Sequence, residues 1–341
     1  MAMFGVLDLL KRVAQTLRKD RLDRVLLALV VIILAGMLGI AYFDSLPLTD
    51  SLWWTIVTIT TVGYGDIYPA SVGGRVVGVL LMLFGIGFLG LLTATLASIF
   101  VEERRQEEKG VNPVRVTQHL VLCGWSYKVR EIVEEIRADG ANQSRPVVLI
   151  AELTTKPLDD AQVYFVNGPV TQDTLRKANA GQAQAAIVLS DESVEAHTRD
   201  AKTILGTLTI KETYPELYTS VELVDRKNVE HCRLAKADEI IVLGEISTNL
   251  LVRASLDHGV TQIITELVSS RFGSEIYKIV PPQVCVGRPF LEVLTTLKTD
   301  RNIIVVAVES VHQGRFLANP PNSYIIDERD RLIVVGKDRQ A

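Results

Sequence analysis

The hydrophobic positions of this chain fall into two regimes. From Val25 to Phe43, and again from Val76 to Val101, there is no charged residue, whereas from Glu102 onward charges recur every few positions. At 1.5 Å per residue the first stretch would make a helix of roughly 28 Å and the second one of roughly 39 Å, against a hydrocarbon core of about 30 Å. Both can span a bilayer, the second with tilt or a protruding end. A cleaved signal peptide fits poorly, because the first stretch runs on into the acidic Asp44 instead of a small-residue cleavage site.

Between the two spans, Thr49 to Thr60 is apolar enough for a helix, with Thr49 or Asp50 as its N-cap, but is too short to cross. It therefore enters and returns. The irregular backbone that follows, Thr61 to Gly65, must be buried or line water, because unsatisfied carbonyls in lipid cost several kcal/mol each. Beyond the second span, Glu102 to Pro113 is charged and closes on Gly110 and Asn112-Pro113, which predicts a helix extension that then breaks.

Past that linker the pattern changes to short apolar runs at His119–Cys123, Val147–Ala151, Val163–Val166, Ala186–Leu189, Leu217–Leu223 and Glu239–Leu243. They alternate with helical stretches at Lys128–Ala138, Thr171–Asn179, His197–Glu212, Lys227–Ala237 and Ser247–His258. Such alternation predicts a parallel sheet with helices on both faces. The fold class is thus a helical membrane pore of two spans and a re-entrant helix, then a Rossmann-like α/β domain and a small α+β lobe. The boundaries read as 1–101, 102–115, 116–268 and 269–341.

Charge sets the orientation. Lys11, Arg12, Arg18, Lys19, Arg21 and Arg24 precede the first span, and Arg104, Arg105 and Lys109 follow the second. Basic flanks stay in the cytoplasm, so both termini are expected there, in a multi-pass cell-membrane protein. The outer loop carries Asp44, Asp50 and Asp66 against Arg75, which attracts cations, and a net charge of -4 gives no support to nucleic-acid binding. Cys123, Cys232 and Cys285 are far apart and form no disulfide framework or metal-spaced cluster.

The chemistry concentrates at Thr61-Val62-Gly63-Tyr64-Gly65-Asp66. A ring of backbone carbonyls from four such segments can replace the hydration shell of K+, the permeant ion, so a single chain cannot conduct. Gly63 and Gly65 allow backbone angles that other residues resist, the Thr61 hydroxyl can add an oxygen, and Val62 and Tyr64 face away as packing residues. With the preceding Trp53-Trp54, this hexapeptide resembles the signature of the potassium channel family. The resemblance implies that Thr61, Val62, Gly63 and Tyr64 contact K+, that Asp66 stands at the outer mouth, and that Trp54 braces Tyr64. It also implies a gating hinge at Gly85-Ile86-Gly87, although glycines in membrane helices also serve close packing. One departure is Val57, where some bacterial relatives carry a pore-helix glutamate.

After the first strand, Gly124-Trp125-Ser126-Tyr127-Lys128-Val129 aligns with the dinucleotide fingerprint but keeps only its first glycine. The helix N-terminus near Ser126 still offers amide donors, and Glu152 could accept from ribose hydroxyls and repel a 2′-phosphate. Cys123-Gly124-Trp125-Ser126, Asn167-Gly168, Lys177-Ala178-Asn179 and Lys236-Ala237-Asp238 resemble the RCK (TrkA-N/TrkA-C-like) domains that regulate potassium channels and transporters. Gly287-Arg288-Pro289-Phe290 and the run from Asp330 to Gly336 resemble their C-terminal lobe. In calcium-gated members an acidic pair one residue apart helps hold the ion. Here that stretch is Glu222-Leu223-Val224, the second carboxylate is missing and Asp191 is displaced by one or two positions, so Ca2+ ranks behind an adenine nucleotide or NAD.

The resemblance as a whole is to two-transmembrane prokaryotic potassium channels with one RCK domain, and it implies a ligand-gated, potassium-selective homotetramer. The alternatives are a membrane-anchored NAD-binding oxidoreductase, which lacks an evident acid, base or nucleophile, and a transporter regulatory subunit, which would not need a pore segment. Methionines stand only at 1, 3, 37 and 82. Archaeal relatives complete an eight-domain ring with soluble RCK copies begun at an internal methionine. Extra RCK subunits are expected here too, from a start at Val111 or Val114 or from a partner.

Overall fold

The computed structural model describes residues 22–337, apart from 192, 193, 195, 312 and 313. Lys11, Arg12, Arg18, Lys19 and Arg21, used above for orientation, lie outside the described residues, as do Met1 and Met3. The chain divides into two compact units after Arg105.

The first unit is helical, with α1 (Leu22–Asp44), α2 (Leu48–Ile59) and the greater part of α3 (Val72–Glu108). Both α1 and α3 are long and apolar enough to cross a membrane. Leu27, Val31 and Leu83 are exposed on them, as suits helices that meet lipid on most sides. Ile40, Trp54, Ile59 and Leu81 join the three in a small core. Gly36 permits the close approach, since a Cβ there would lie 2.9 Å from both Leu81 and Thr55. The re-entrant helix begins one residue before the expected Thr49. Pro47 precedes its first turn without a side-chain cap, because proline's fixed φ starts a helix unaided, and Asp50 falls inside that turn.

The second unit opens on a six-stranded parallel sheet built from β1 (Leu120–Cys123), β2 (Val147–Ala151), β3 (Val163–Asn167), β4 (Ala185–Val188), β5 (Tyr218–Leu223) and β6 (Glu239–Val242). Their order is β3-β2-β1-β4-β5-β6. Every strand lies within one residue of its apolar run at each end. Side-chain alternation divides the core between the two faces. On one, Leu122, Leu149 and Phe165 meet Val129 and Val133 of α4 (Lys128–Ala138). On the other, Val121, Val148 and Val166 share a cluster with Leu175 of α5 (Gln172–Lys177), Ile210 of α6 (Ala196–Thr213) and Cys232 of α7 (Val229–Leu234).

Helix α8 (Leu243–Leu256) starts four residues ahead of the expected Ser247, directly at the end of β6. The hydroxyls of Ser247 and Thr248 donate to the carbonyls of Leu243 and Gly244, so these polar residues sit inside the helix instead of opening it. After α9 (Val260–Val268), the chain builds a small lobe from β7 (Glu275–Ile279), α10 (Phe290–Arg301), β8 (Ile304–Ser310), β9 (Arg315–Ala318) and β10 (Arg331–Gly336). Its antiparallel sheet, ordered β7-β10-β8-β9, packs against α10 over Tyr277, Phe290, Val293, Leu297, Val308 and Leu332.

Candidate functional site

The pore segment hangs from the C-terminal turn of α2. The amides of Val62 and Gly63 both turn back to the carbonyl of Val57, at 3.1 and 3.3 Å. Thr61, Gly63 and Gly65 have φ of 61°, 56° and 75°, whereas Val62 and Tyr64 are not left-handed, so the backbone alternates in hand along the hexapeptide. Gly63 and Gly65 occupy these angles without the penalty that a Cβ brings.

The two tryptophans divide their roles differently from the expectation. The Trp53 ring, not Trp54, stacks on Tyr64, with centroids 5.9 Å apart and planes 5° from parallel. Its Nε1–H donates to Asp66 Oδ2 at 2.8 Å. Trp54 is buried among the helices, 5% exposed, because the next residue lies about 100° further around α2, on the side that meets Ile40 and Leu81. Asp66 is thus restrained by an indole, with Val57 buried where a pore-helix carboxylate would stand.

Helix α3 runs unbroken through the glycines at 85, 87 and 90. They are not equivalent. A Cβ on Gly85 would lie 2.9 Å from Ile59 Cγ1, so Gly85 makes room for the end of α2, while nothing lies within 4 Å of the position a Cβ would take on Gly87 or Gly90.

In the second unit, strand order reverses between β1 and β4, where a parallel sheet opens a crevice at its strand ends. Gly124 lines it with φ 97°, and a Cβ there would sit 2.9 Å from the Leu189 carbonyl oxygen. Ser126 and Ser190, just beyond β1 and β4, are buried, and each hydroxyl lacks a hydrogen-bond partner. Glu152, just past β2, accepts from Lys202 Nζ at 2.6 Å, and the same ammonium donates to Asp191 at 2.7 Å. Burial alone would lower the Lys202 pKa, but its hydrogen bonds to Asp191 and Glu152 outweigh that and hold it above the ordinary lysine value. Glu222, 6% exposed at the end of β5, is held by Lys128 Nζ at 2.5 Å.

Sequence reading placed Glu222 and Asp191 near these strand ends but missed both lysines. Lys128 stands in the quoted fingerprint segment, four residues after Gly124, and its reach across to β5 follows from the strand order. Lys202 lies inside a long helix, where nothing local distinguishes it. Among the described residues no group of three or more His, Cys, Asp or Glu is arranged to hold a metal ion. The Cys123 thiol, buried at the end of β1, is pushed up to about 12 by burial, and so stays protonated and inert.

Comparison with known proteins covers both units. A family model described as "Ion channel" matches residues 27–102, one described as "Calcium-activated potassium channel slowpoke-like RCK domain" matches 115–221, and "Castor and Pollux, part of voltage-gated ion channel" matches 233–341. The calcium-gated potassium channel TvoK of Thermoplasma volcanium is 29% identical over 97% of this chain and 96% of its own length. The putative potassium channel protein YugO of Bacillus subtilis is 26% identical, over 84% of this chain and 86% of its own. Among solved structures, the human SLO3 gating ring shares the fold with a TM-score of 0.50 and 16% identity, over 64% of this chain and 44% of that one. These matches, together with the two apolar helices and the 3-2-1-4-5-6 sheet, support a ligand-gated potassium channel in which a helical channel region is followed by an RCK regulatory domain.

Proposed function

We propose that four copies assemble in the cell membrane, both termini cytoplasmic, with Thr61 to Asp66 as the selectivity filter and the inner ends of the four α3 helices as the gate. Residues 1–101 form the pore, 102–115 the linker, 116–268 the Rossmann-like half of the RCK domain and 269–341 its C-terminal lobe. Gly85 and Gly87 bracket the hinge. The ring acts through its differential affinity for ligand in its open and closed states, because a ligand bound equally by both shifts nothing.

The ligand is an adenine nucleotide, NAD in preference to NADP, seated at Gly124, Ser126 and Glu152. The observation that carries this is the crevice at the ends of β1, β2 and β4, with two buried hydroxyls awaiting partners and two ammonium groups, Lys128 and Lys202, suited to phosphate. A second reading, Ca2+ at Glu222 and Asp191, is favoured by the name of the Thermoplasma relative. It would require the ion to displace Lys128 from Glu222, at the cost of a buried ion pair.

Calorimetry on the solubilised channel with ADP, NAD, NADP and Ca2+ separates the two. Heat from ADP or NAD that weakens in Glu152→Ala is the expected result. Heat from Ca2+ alone, abolished in Glu222→Gln, would replace the nucleotide by calcium. In liposomes loaded with the same protein, potassium flux is expected to exceed sodium flux by a wide margin, and equal fluxes would remove the filter assignment.

A further inference from the structure

The segment that leaves α3 is pinned to the edge of the Rossmann sheet at two successive points. The Lys156 amide donates to the Glu108 carbonyl at 2.7 Å, and the Asn167 amide, at the end of β3, donates to the Gly110 carbonyl at 3.0 Å. Gly110 is buried with φ 64°, and a Cβ on it would lie 2.6 Å from both the Asn167 nitrogen and the Phe165 ring. No other residue type fits without moving backbone. The next anchor comes only after a loop, where the Val114 amide donates to the Lys177 carbonyl at 2.7 Å and Val114 packs against the sheet core. The chain is therefore clamped at 108–110, spans 111–113 with Val111 and Pro113 exposed, and is tied down again at 114.

The clamp also adjoins the crevice. The Gly168 amide donates to the Ala151 carbonyl at 3.0 Å, so the Asn167-Gly168 pair touches the linker with one residue and the end of β2, immediately before Glu152, with the other. The loop that carries Lys156 begins at Glu152 itself, and its Lys156 side chain donates to the Asp160 carbonyl at 2.7 Å, which stiffens it. A change at the ends of β2 and β3 thus reaches the last turn of the inner helix through backbone contacts alone.

We propose that the clamp of Glu108 and Gly110 on Lys156 and Asn167 is where movement of the gating ring is delivered to the inner helix, with Gly110 as its positioning residue. The inference rests on gating by the RCK domain and not on the identity of the ligand. Force applied at the clamp bypasses the loop 111–113, so slack introduced there has no effect on the pore, whereas slack introduced between the clamp and the membrane does.

Two glycines inserted between Asn112 and Pro113 of the full chain are expected to leave potassium flux from liposomes unchanged. The same pair inserted between Arg105 and Gln106 should lower flux by about fivefold or more, the size of an ordinary coupling between sites. Gly110→Ala should act like the upstream insertion and speed hydrogen exchange at the Lys156 and Asn167 amides, while the rest of the parallel sheet keeps its protection and the residual flux stays potassium-selective. Equal effects from the two insertions would mean that the whole linker transmits force, and would overturn the proposal. So would Gly110→Ala if it released those amides without altering flux, or left both amides protected. A calorimetric readout with ADP, NAD and Ca2+ keeps the two readings apart, since loss of ligand heat in the unmodified channel bears on the ligand assignment alone.

Discussion

The paired tryptophans show how one position along a helix separates two functions. Trp53 gives its N–H to Asp66 and its ring to Tyr64, so it restrains the end of the proposed filter, while Trp54 fills the helix core. Phenylalanine at 53 keeps a ring for stacking and loses the donor to the exposed Asp66 carboxylate. We expect Trp53→Phe to lower the ratio of potassium to sodium flux. We expect Trp54→Phe to reduce thermal stability with that ratio intact. A reversal of the two phenotypes would return the bracing role to Trp54. The positive-φ glycines were readable from the hexapeptide itself, but the choice between two adjacent identical residues was not, because it depends on which face of α2 meets α1 and α3.

At the scale of the element, regular periodicity was legible and boundaries set by tertiary contacts were less so. The parallel strands declare themselves because both their faces are buried, which writes nearly continuous apolar runs into the sequence. Helix α8 was harder to place, since Ser247 and Thr248 read as an opening cap and instead bond back within the helix. The inner helix α3 offers a test of the same kind. Alanine at 85 presses a methyl group against Ile59 and should cost about 1–3 kcal/mol by overpacking. Alanine at 87 meets nothing within the chain and should gain helix propensity of about 1 kcal/mol. Gly87→Ala that is as stable as wild type yet conducts less potassium would mark a hinge. Unchanged conduction would leave Gly87 a position of close packing between chains.

At the scale of the whole molecule, the second unit leaves large apolar side chains uncovered. Leu251, Val252 and Leu256 of α8 and Ile263 and Val268 of α9 are all more than half exposed, and neither helix buries a single residue. Faces of that kind are covered in an assembly. The fourfold pore proposed above, with four tethered domains, is expected to recruit further RCK domains, as soluble copies of its own or as a partner. Native mass spectrometry of protein expressed from its own gene decides this, and a species of four 37.6 kDa chains without a companion would exclude it. The domain order was legible along the sequence because hydropathy changes so sharply at Glu102. The charge balance of the crevice was not, because the lysines that neutralise Glu152, Asp191 and Glu222 come from helices apart from them in sequence.

The alternation of backbone hand at Thr61, Gly63 and Gly65 has a stereochemical meaning. A polymer of one chirality does not readily alternate, yet successive residues of opposite hand can gather their amide hydrogens on one side, as Val62 and Gly63 do toward the Val57 carbonyl. Glycine, being achiral, serves at 63 and 65 as a mirror-image residue would. The proposed filter is in this sense a short heterochiral ribbon written in a homochiral alphabet, and its geometry belongs to the backbone's symmetry more than to any side chain it carries.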